Sequence, residues 1–433
     1  MTIIVAKILI IVLCFISLTL LVVYKRQFIQ WVSSQNTNFI LAASWVVFRL
    51  LPYLIVFIIF QYEPSSDITG YLMPWGTSAK NGLLIYRDFN CTYSPFYPYI
   101  LAIALSVWYN TKAIVFLMII FEGIAFALTQ RLAHDINIPK GENIFRAVFY
   151  LLLPATTILC VLGGQEDEWM WLFGVLAYFA WKKTQKIEIF ILFIFLGMLC
   201  TKAIYVLFLL PTLILVQPKP RVLGFGALVG VIILATLYYF VGFNFLQPIQ
   251  EANTLRSPNL PSVLNPIFFD TLGFGSKLWN WVGLLVSLSI GTWASTKIKN
   301  ISFPLSFSAV WVIIYGTMMV VQQSAYANYV FIFMLPLVFF WIDFNNKKEV
   351  ILLLIYNILS PLHPSIWWRI GQPKYNSMSD IFGDWLYFLD YLIQTSIVSL
   401  TIYFIYLVYH KVSYLNQKFD KTPLLWTSPK YQS

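Results

Sequence analysis

Read for hydropathy, the chain is a succession of long apolar runs separated by short polar stretches. A membrane crossing takes about 20 apolar residues. Runs of that length lie at 3–23, 39–60, 222–242, 277–296, 302–322, 326–343 and 388–409. Shorter or interrupted runs lie at 95–109, 113–130, 145–162, 169–181, 189–216 and 349–361. The pattern predicts an all-α polytopic transmembrane protein with roughly 11–13 spans. No soluble domain, low-complexity tract or usable repeat interrupts it. A single integral membrane domain over 1–433 is expected, divided into 1–38 (an extra N-terminal span and its loop), 39–216 and 217–433. Lys25 and Arg26 follow the first run and no small-residue cleavage site is evident, so that run reads as a retained span.

Loop charge predicts orientation, because Lys and Arg gather on the cytoplasmic side. Lys25 and Arg26 place 24–38 there. Lys182, Lys183 and Lys186, then Lys219 and Arg221, Lys297 and Lys299, Lys347 and Lys348, and the tail from Lys411 mark the same side. The loops 61–94, 243–275, Gln322–Ala325 and 362–387 then share the opposite, outer face. Two segments resist simple counting. The run 189–216 has cytoplasmic charge at both ends, which predicts a hairpin or broken helix with its apex near Thr201 and Lys202. One of the runs 95–109, 113–130, 145–162 and 169–181 must fail to cross, and Gly163–Glu168 is expected outside. Lys202 and Arg49 become candidates for function, since charge within a membrane is costly.

Composition agrees with this picture. Of 433 residues, 59% are hydrophobic and 11% charged, against about 25% charged in soluble domains. Aromatic residues reach 18%, and such rings settle at membrane interfaces. The net charge of +10 is the Lys/Arg excess of cytoplasmic loops. No basic stripe exists to track phosphates, which excludes a nucleic-acid partner. His134, His363 and His410 fall in separate loops and the four cysteines form no ligand pattern, so no zinc site is expected. Nucleotide-driven chemistry is excluded by the lack of a phosphate-binding glycine loop.

Candidate chemistry sits in the outer loops. The first carries Asp67, Lys80, Arg87 and Asp88, with Tyr71, Leu72, Trp75 and Leu83 as the apolar face of short interfacial helices. A carboxylate just beyond a span can take a proton from a bound hydroxyl; it can also be a solvated loop acid. Glu166, Asp167 and Glu168 could order sugar hydroxyls or offer oxygen ligands to a divalent cation, or cap the helix that follows. Arg256 could hold a phosphate through paired hydrogen bonds, or be a surface residue. His363, Trp367, Trp368, Arg369 and Lys374 read as an interfacial anchor or a sugar-stacking surface.

The order of Asp67, Tyr71, Gly82, Tyr86-Arg87-Asp88 and Tyr93-Ser94-Pro95-Phe96-Tyr97-Pro98 resembles the first outer loop of GT-C membrane glycosyltransferases, most closely the polyprenyl-phosphate-mannose-dependent mannosyltransferases. Gly164-Gln165-Glu166-Asp167 opening a helix, Thr201-Lys202 before LLPTLIL, and Tyr329 before Leu335-Pro336 are similar to that group. The resemblance spreads over roughly residues 60–340 and marks 39–216, with its outer loop 61–94, as a GT-C-like module. It implies an inverting sugar transfer from a polyprenyl-phosphate donor to a hydroxyl of a lipid or glycan acceptor. In that reading Asp67 is the general base, and Lys202 and Arg256 contact phosphate. Glu166 and Asp167, with Gln165, Tyr71, Arg87 and Asp88, serve the substrates. Many relatives carry two adjacent acids here, whereas Asp67 follows Ser65-Ser66, leaving Glu63 and Asp88 as the other loop acids; Asp88 in YRDF reads as Arg87's partner.

The expected setting is a multi-pass membrane protein with its site on the extracytoplasmic face. That face is the periplasm or cell exterior in a bacterium, or the endoplasmic reticulum lumen in a eukaryote. The partners are membrane lipids, the donor and the acceptor. No cofactor is expected, and a divalent cation is allowed but not called for. Broken helices and an intramembrane Lys would also suit a transporter or flippase, and long outer loops would suit a lipid-linked saccharide ligase or polymerase.

Overall fold

A computed structural model describes residues 3–64, 67–216, 219–298 and 301–418. Expectations placed on Ser65-Ser66, Lys299 and the tail beyond 418 fall outside these residues. The described chain is helical, with one isolated bridge between Ile85 and Phe89. Seven helices are long and apolar enough to cross a membrane: Val5–Val23, Thr37–Ile59, Thr111–Asp135, Lys219–Gln250, Phe303–Val321, Lys347–Arg369 and Trp385–Asn416. Lys140–Leu152 and Pro154–Leu162 make a pair bent by 59° that brings the number to eight. Other apolar runs form the shorter helices Tyr97–Val107, Ile187–Cys200, Ala203–Leu215 and Ala327–Trp341. Full-length crossings are therefore fewer than hydropathy predicts. The run 277–296 does form a helix, Lys277–Lys297, but it is not among the seven. Its Gly283, Ser287, Gly291 and Ser295 are small or polar, and the two glycines bring its backbone close to Gln322 and Ile314.

Polar contacts sort the loops into two ends. At one end Lys25 pairs with Glu142 at 3.4 Å and Lys182 with Asp135 at 2.6 Å. Arg221 pairs there with Glu188, and Lys411 with Glu349 at 2.6 Å. The residues that marked the cytoplasm thus gather at one Lys/Arg-rich end. At the other end the first loop meets Gly163–Glu168, Thr201-Lys202, 243–275 and Gln322–Ala325. Ser94 N–H donates to the Thr201 carbonyl at 3.3 Å, and Arg256 N–H to the Gln323 carbonyl at 2.8 Å.

The two awkward segments now resolve. Lys80 donates to the Leu105 carbonyl at 3.1 Å, and Lys112, just past Tyr109, pairs with Glu63 at 2.9 Å. Both flanks of Tyr97–Val107 therefore stay at the loop-rich end, and this is the run that does not cross. At eleven residues it rises only about 16 Å. The run 189–216 breaks at Thr201-Lys202, and both outer flanks, Glu188 and Arg221, return to the Lys/Arg-rich end. Its fourteen-residue first leg climbs about 21 Å, less than the ~30 Å hydrocarbon core. Lys202 is carried at the apex.

Arg49 finds its partner in Glu122. Its guanidinium is wholly buried and donates to Glu122 Oε1 at 3.0 and 3.1 Å, to Thr156 and Thr157 Oγ1 at 3.0 Å, and to the Leu151 carbonyl at 2.9 Å. The bend before Pro154 explains that last contact. Proline cannot donate and interrupts the helical bonding, leaving upstream carbonyls to be satisfied otherwise. Thr156 and Thr157 hydroxyls take the Tyr150 and Leu151 carbonyls, and Arg49 completes the set.

Candidate functional site

At the loop-rich end, several loops enclose a cavity of about 220 Å³ whose walls include Asp67, Tyr71, Gln165, Lys202 and Arg256. They come from four parts of the chain, Asp67 and Tyr71 sharing one helical stretch. Asp67 stands at the start of the helical stretch that continues through Met73–Lys80, where the helix dipole favours negative charge. Gln165 leads into Glu168–Thr184 from a turn at Gly164, whose φ of +55° suits a residue without a side chain. Lys202 sits in the helix break, and Arg256 in the loop before Leu260–Leu272.

Asp67 is half-buried, and its Oδ2 accepts from Gln165 Nε2 at 3.3 Å. Gln165 Oε1 in turn accepts from Asn328 Nδ2. Because a carboxylate only accepts, the Gln165 amide must point its NH₂ at Asp67, and its oxygen then takes the Asn328 NH₂. Asp67 is thus held by a chain of amides.

The acid cluster does something other than expected. Lys202, only 8% exposed, pairs with Glu166 at 2.9 Å and with Asp167. Glu166 also accepts from the Tyr93 hydroxyl at 2.5 Å, whereas Glu168 turns away to Tyr150 at 2.6 Å. Asp167 makes no side-chain cap for the helix it precedes. Two of the three acids converge on Lys202 and the third points to Tyr150, so the trio does not act as one cluster. Among the described residues no three His, Cys, Asp or Glu side chains are placed to hold a metal ion. Neither Glu166 nor Asp167 lines the cavity; both back the lysine that does.

The electrostatics follow from this packing. Burial works against charge on Lys202, and the carboxylates of Asp167 and Glu166 beside it compensate that cost. Burial pushes the Asp167 carboxyl up, with Lys202 opposing. The ammonium donates to Asp167 and forms an ion pair with Glu166, and the cation lies 4.8 Å from the Tyr329 ring centre and 5.2 Å from that of Tyr93. Arg256 lies 4.6 Å over the Tyr326 ring, which lays its planar fork along the cavity wall.

Arg87 and Asp88 are not brought to the cavity. They pair with each other at 2.8 Å, and Asp88 also accepts from Leu84 N–H at 2.7 Å, closing the loop on itself. Sequence reasoning missed Asn328 and Tyr326, which lie in an apolar stretch just past the Gln322–Ala325 turn and carry no local signal. Trp75 and Tyr93 were seen as interfacial or motif residues, and both prove to be cavity wall, 5.4 Å apart. Trp368 joins them from the last turn of the helix Lys347–Arg369, which extends into the stretch 362–387 expected to be a loop.

Two larger hollows lack this convergence. One of about 460 Å³ lies at the Lys/Arg-rich end beside Arg146 and Lys411, whose cations are already paired with acids. The other, about 630 Å³, is largely apolar and lies along Thr111–Asp135. No family model, curated protein or solved structure matches this chain.

Proposed function

We propose that this chain is a membrane glycosyltransferase of GT-C-like architecture. It moves one sugar, mannose being the first candidate, from a polyprenyl-phosphate donor to an acceptor hydroxyl at the extracytoplasmic face. One observation carries the reading. An acid oriented by amides, two cations and several aromatic side chains converge on one cavity at the end of the molecule opposite the Lys/Arg-rich loops. A sugar presents hydroxyls and apolar faces, which suit aromatic walls and polar side chains. A polyprenyl donor brings its phosphate to the membrane surface, so no soluble domain is needed.

In this mechanism Asp67 accepts the acceptor's hydroxyl proton as that oxygen bonds to the anomeric carbon. The carbon–oxygen bond to phosphate breaks, and the phosphate leaves with the electron pair. Attack opposite the leaving group inverts the anomeric centre. Arg256, and the Lys202 N–H not facing a carboxylate, stabilise the charge that develops on phosphate. The leaving group needs no proton, so one carboxylate suffices, unlike the pair in a glycosidase.

A transporter is the second reading, favoured by the re-entrant pair of short helices meeting at Lys202. Protein reconstituted in liposomes separates the two. Incubation with a polyprenyl-phosphate sugar and a hydroxyl acceptor yields a covalent glycoside if the first reading holds. Ligand crossing the bilayer with no new covalent product would replace it with the second.

A further inference from the structure

The apolar hollow of about 630 Å³ has the size of a ligand site, about 300–1,000 Å³, and lies apart from the proposed active site. Its walls come from Thr37–Ile59 and Thr111–Asp135, both long and apolar enough to cross a membrane. Its lining is sorted along its length. Ile120, Gly123, Ile124, Trp45 and Leu41 form an apolar channel, and Asn38, Gln130 and Arg131 stand at one end. Gly123 shapes the floor: Trp45 lies so close that a Cβ there would come within 2.6 Å of its ring nitrogen.

The polar end has a definite place in the molecule. Arg131 is one helical turn from Asp135, which pairs with Lys182 at the Lys/Arg-rich end. Asn38 begins the facing helix just beyond Gln35, whose carbonyl accepts from Lys140 at 2.7 Å. From Ile120 to Arg131 the wall runs eleven residues, about 16 Å, half of a ~30 Å hydrocarbon core. The groove therefore spans one leaflet. Arg131 is exposed and its guanidinium rests 5.3 Å over the Phe179 ring, a stacking that fixes the cation at the groove's mouth.

We propose that this groove binds one anionic phospholipid of the leaflet at the Lys/Arg-rich end, its acyl chain in the apolar channel and its phosphate on Arg131, with Gln130 and Asn38 beside it. Both walls face the membrane, so lipid is the phase that reaches the groove. A single cation at its mouth selects a headgroup with net negative charge.

The test is native mass spectrometry of the full chain, extracted in mild detergent and supplied with phosphatidylglycerol or phosphatidylcholine. Ala127 is exposed on the groove wall, so Ala127→Trp fills the channel without entering the helix packing. The wild type is expected to retain one phosphatidylglycerol and to prefer it about tenfold over phosphatidylcholine. Ala127→Trp should abolish retention, and Arg131→Gln should remove the headgroup preference. Equal retention of both lipids by the wild type, or undiminished retention by Ala127→Trp, would overturn the assignment. None of these readouts depends on sugar transfer.

Discussion

Gln165 donates through Nε2 to Asp67 Oδ2 at 3.3 Å, across 98 residues of sequence. The bond joins the first loop of the loop-rich end to the turn that opens Glu168–Thr184, and the Gln165 oxygen on the other side accepts from Asn328. If Asp67 is the base, Gln165 holds it in line. A hydrogen bond to a charged group contributes about 1.5–3 kcal/mol. Gln165→Ala is therefore expected to lower kcat by about 10- to 100-fold with KM little changed. Steady-state kinetics of sugar transfer by the reconstituted protein check the split.

Lys202 holds two buried carboxylates, and its removal should be felt first in stability. Leaving buried charge uncompensated costs about 3–5 kcal/mol. Lys202→Met should unfold at markedly lower temperature in detergent, and adding Glu166→Gln and Asp167→Asn should restore much of the loss. Thermal unfolding of the single and triple variants measures this; a triple variant no better than the single would mean the lysine is not bound to these acids.

Arg49 and Glu122 should behave as a unit of the same kind. Arg49→Met or Glu122→Gln alone is expected to destabilise by about 3–5 kcal/mol, and the double variant by less than the sum of the two. Arg49 also satisfies the Leu151 carbonyl at the bend, so the double variant should stop short of wild-type stability. Chemical unfolding of the four proteins in one detergent gives the cycle.

Arg256 and Arg87 lie in outer loops, yet only Arg256 lines the cavity. Arg256→Ala is expected to raise the donor KM about tenfold or more, by loss of a charge-assisted contact, while Arg87→Ala leaves it near wild type. Arg87 instead works on its own loop. Together with Leu84 N–H it holds the Asp88 carboxyl down to about 2, from an ordinary 3.8. A depressed carboxyl favours the folded loop above its ordinary pKa, and that contribution is lost as pH falls through about 2. The Leu84 amide should stay protected from hydrogen exchange at pH 4 and lose protection near pH 2. In Asp88→Ala it should be exposed at both.

Much of this was visible in the chain. Lys/Arg placement separates the two ends, and charge on both flanks of 189–216 marks the break that carries Lys202. Asp67 and Gln165 lie beside junctions of loop and apolar run, Lys202 at the apex of the broken run, and Arg256 in the loop 243–275. What hydropathy could not show is direction and pairing. Tyr97–Val107 is as apolar as a span but too short to be one, and only its contacts with Lys80 reveal that it stays at one end. Glu122 sits 73 residues from Arg49, with no local pattern linking them. The acids 166–168 read as one cluster because they are consecutive, yet Glu166 and Asp167 turn to Lys202 while Glu168 turns to Tyr150. Asn328 is a lone amide in an apolar stretch, and only the fold brings it to Gln165.

The central claim is that Asp67 removes the acceptor's proton. Its most direct test is turnover of Asp67→Asn, which keeps the shape and removes the basic oxygen. With folding confirmed by an unchanged melting temperature, kcat for transfer from the polyprenyl-phosphate sugar should fall about 10²- to 10⁴-fold, with donor binding retained. Turnover within a few-fold of wild type would contradict the account.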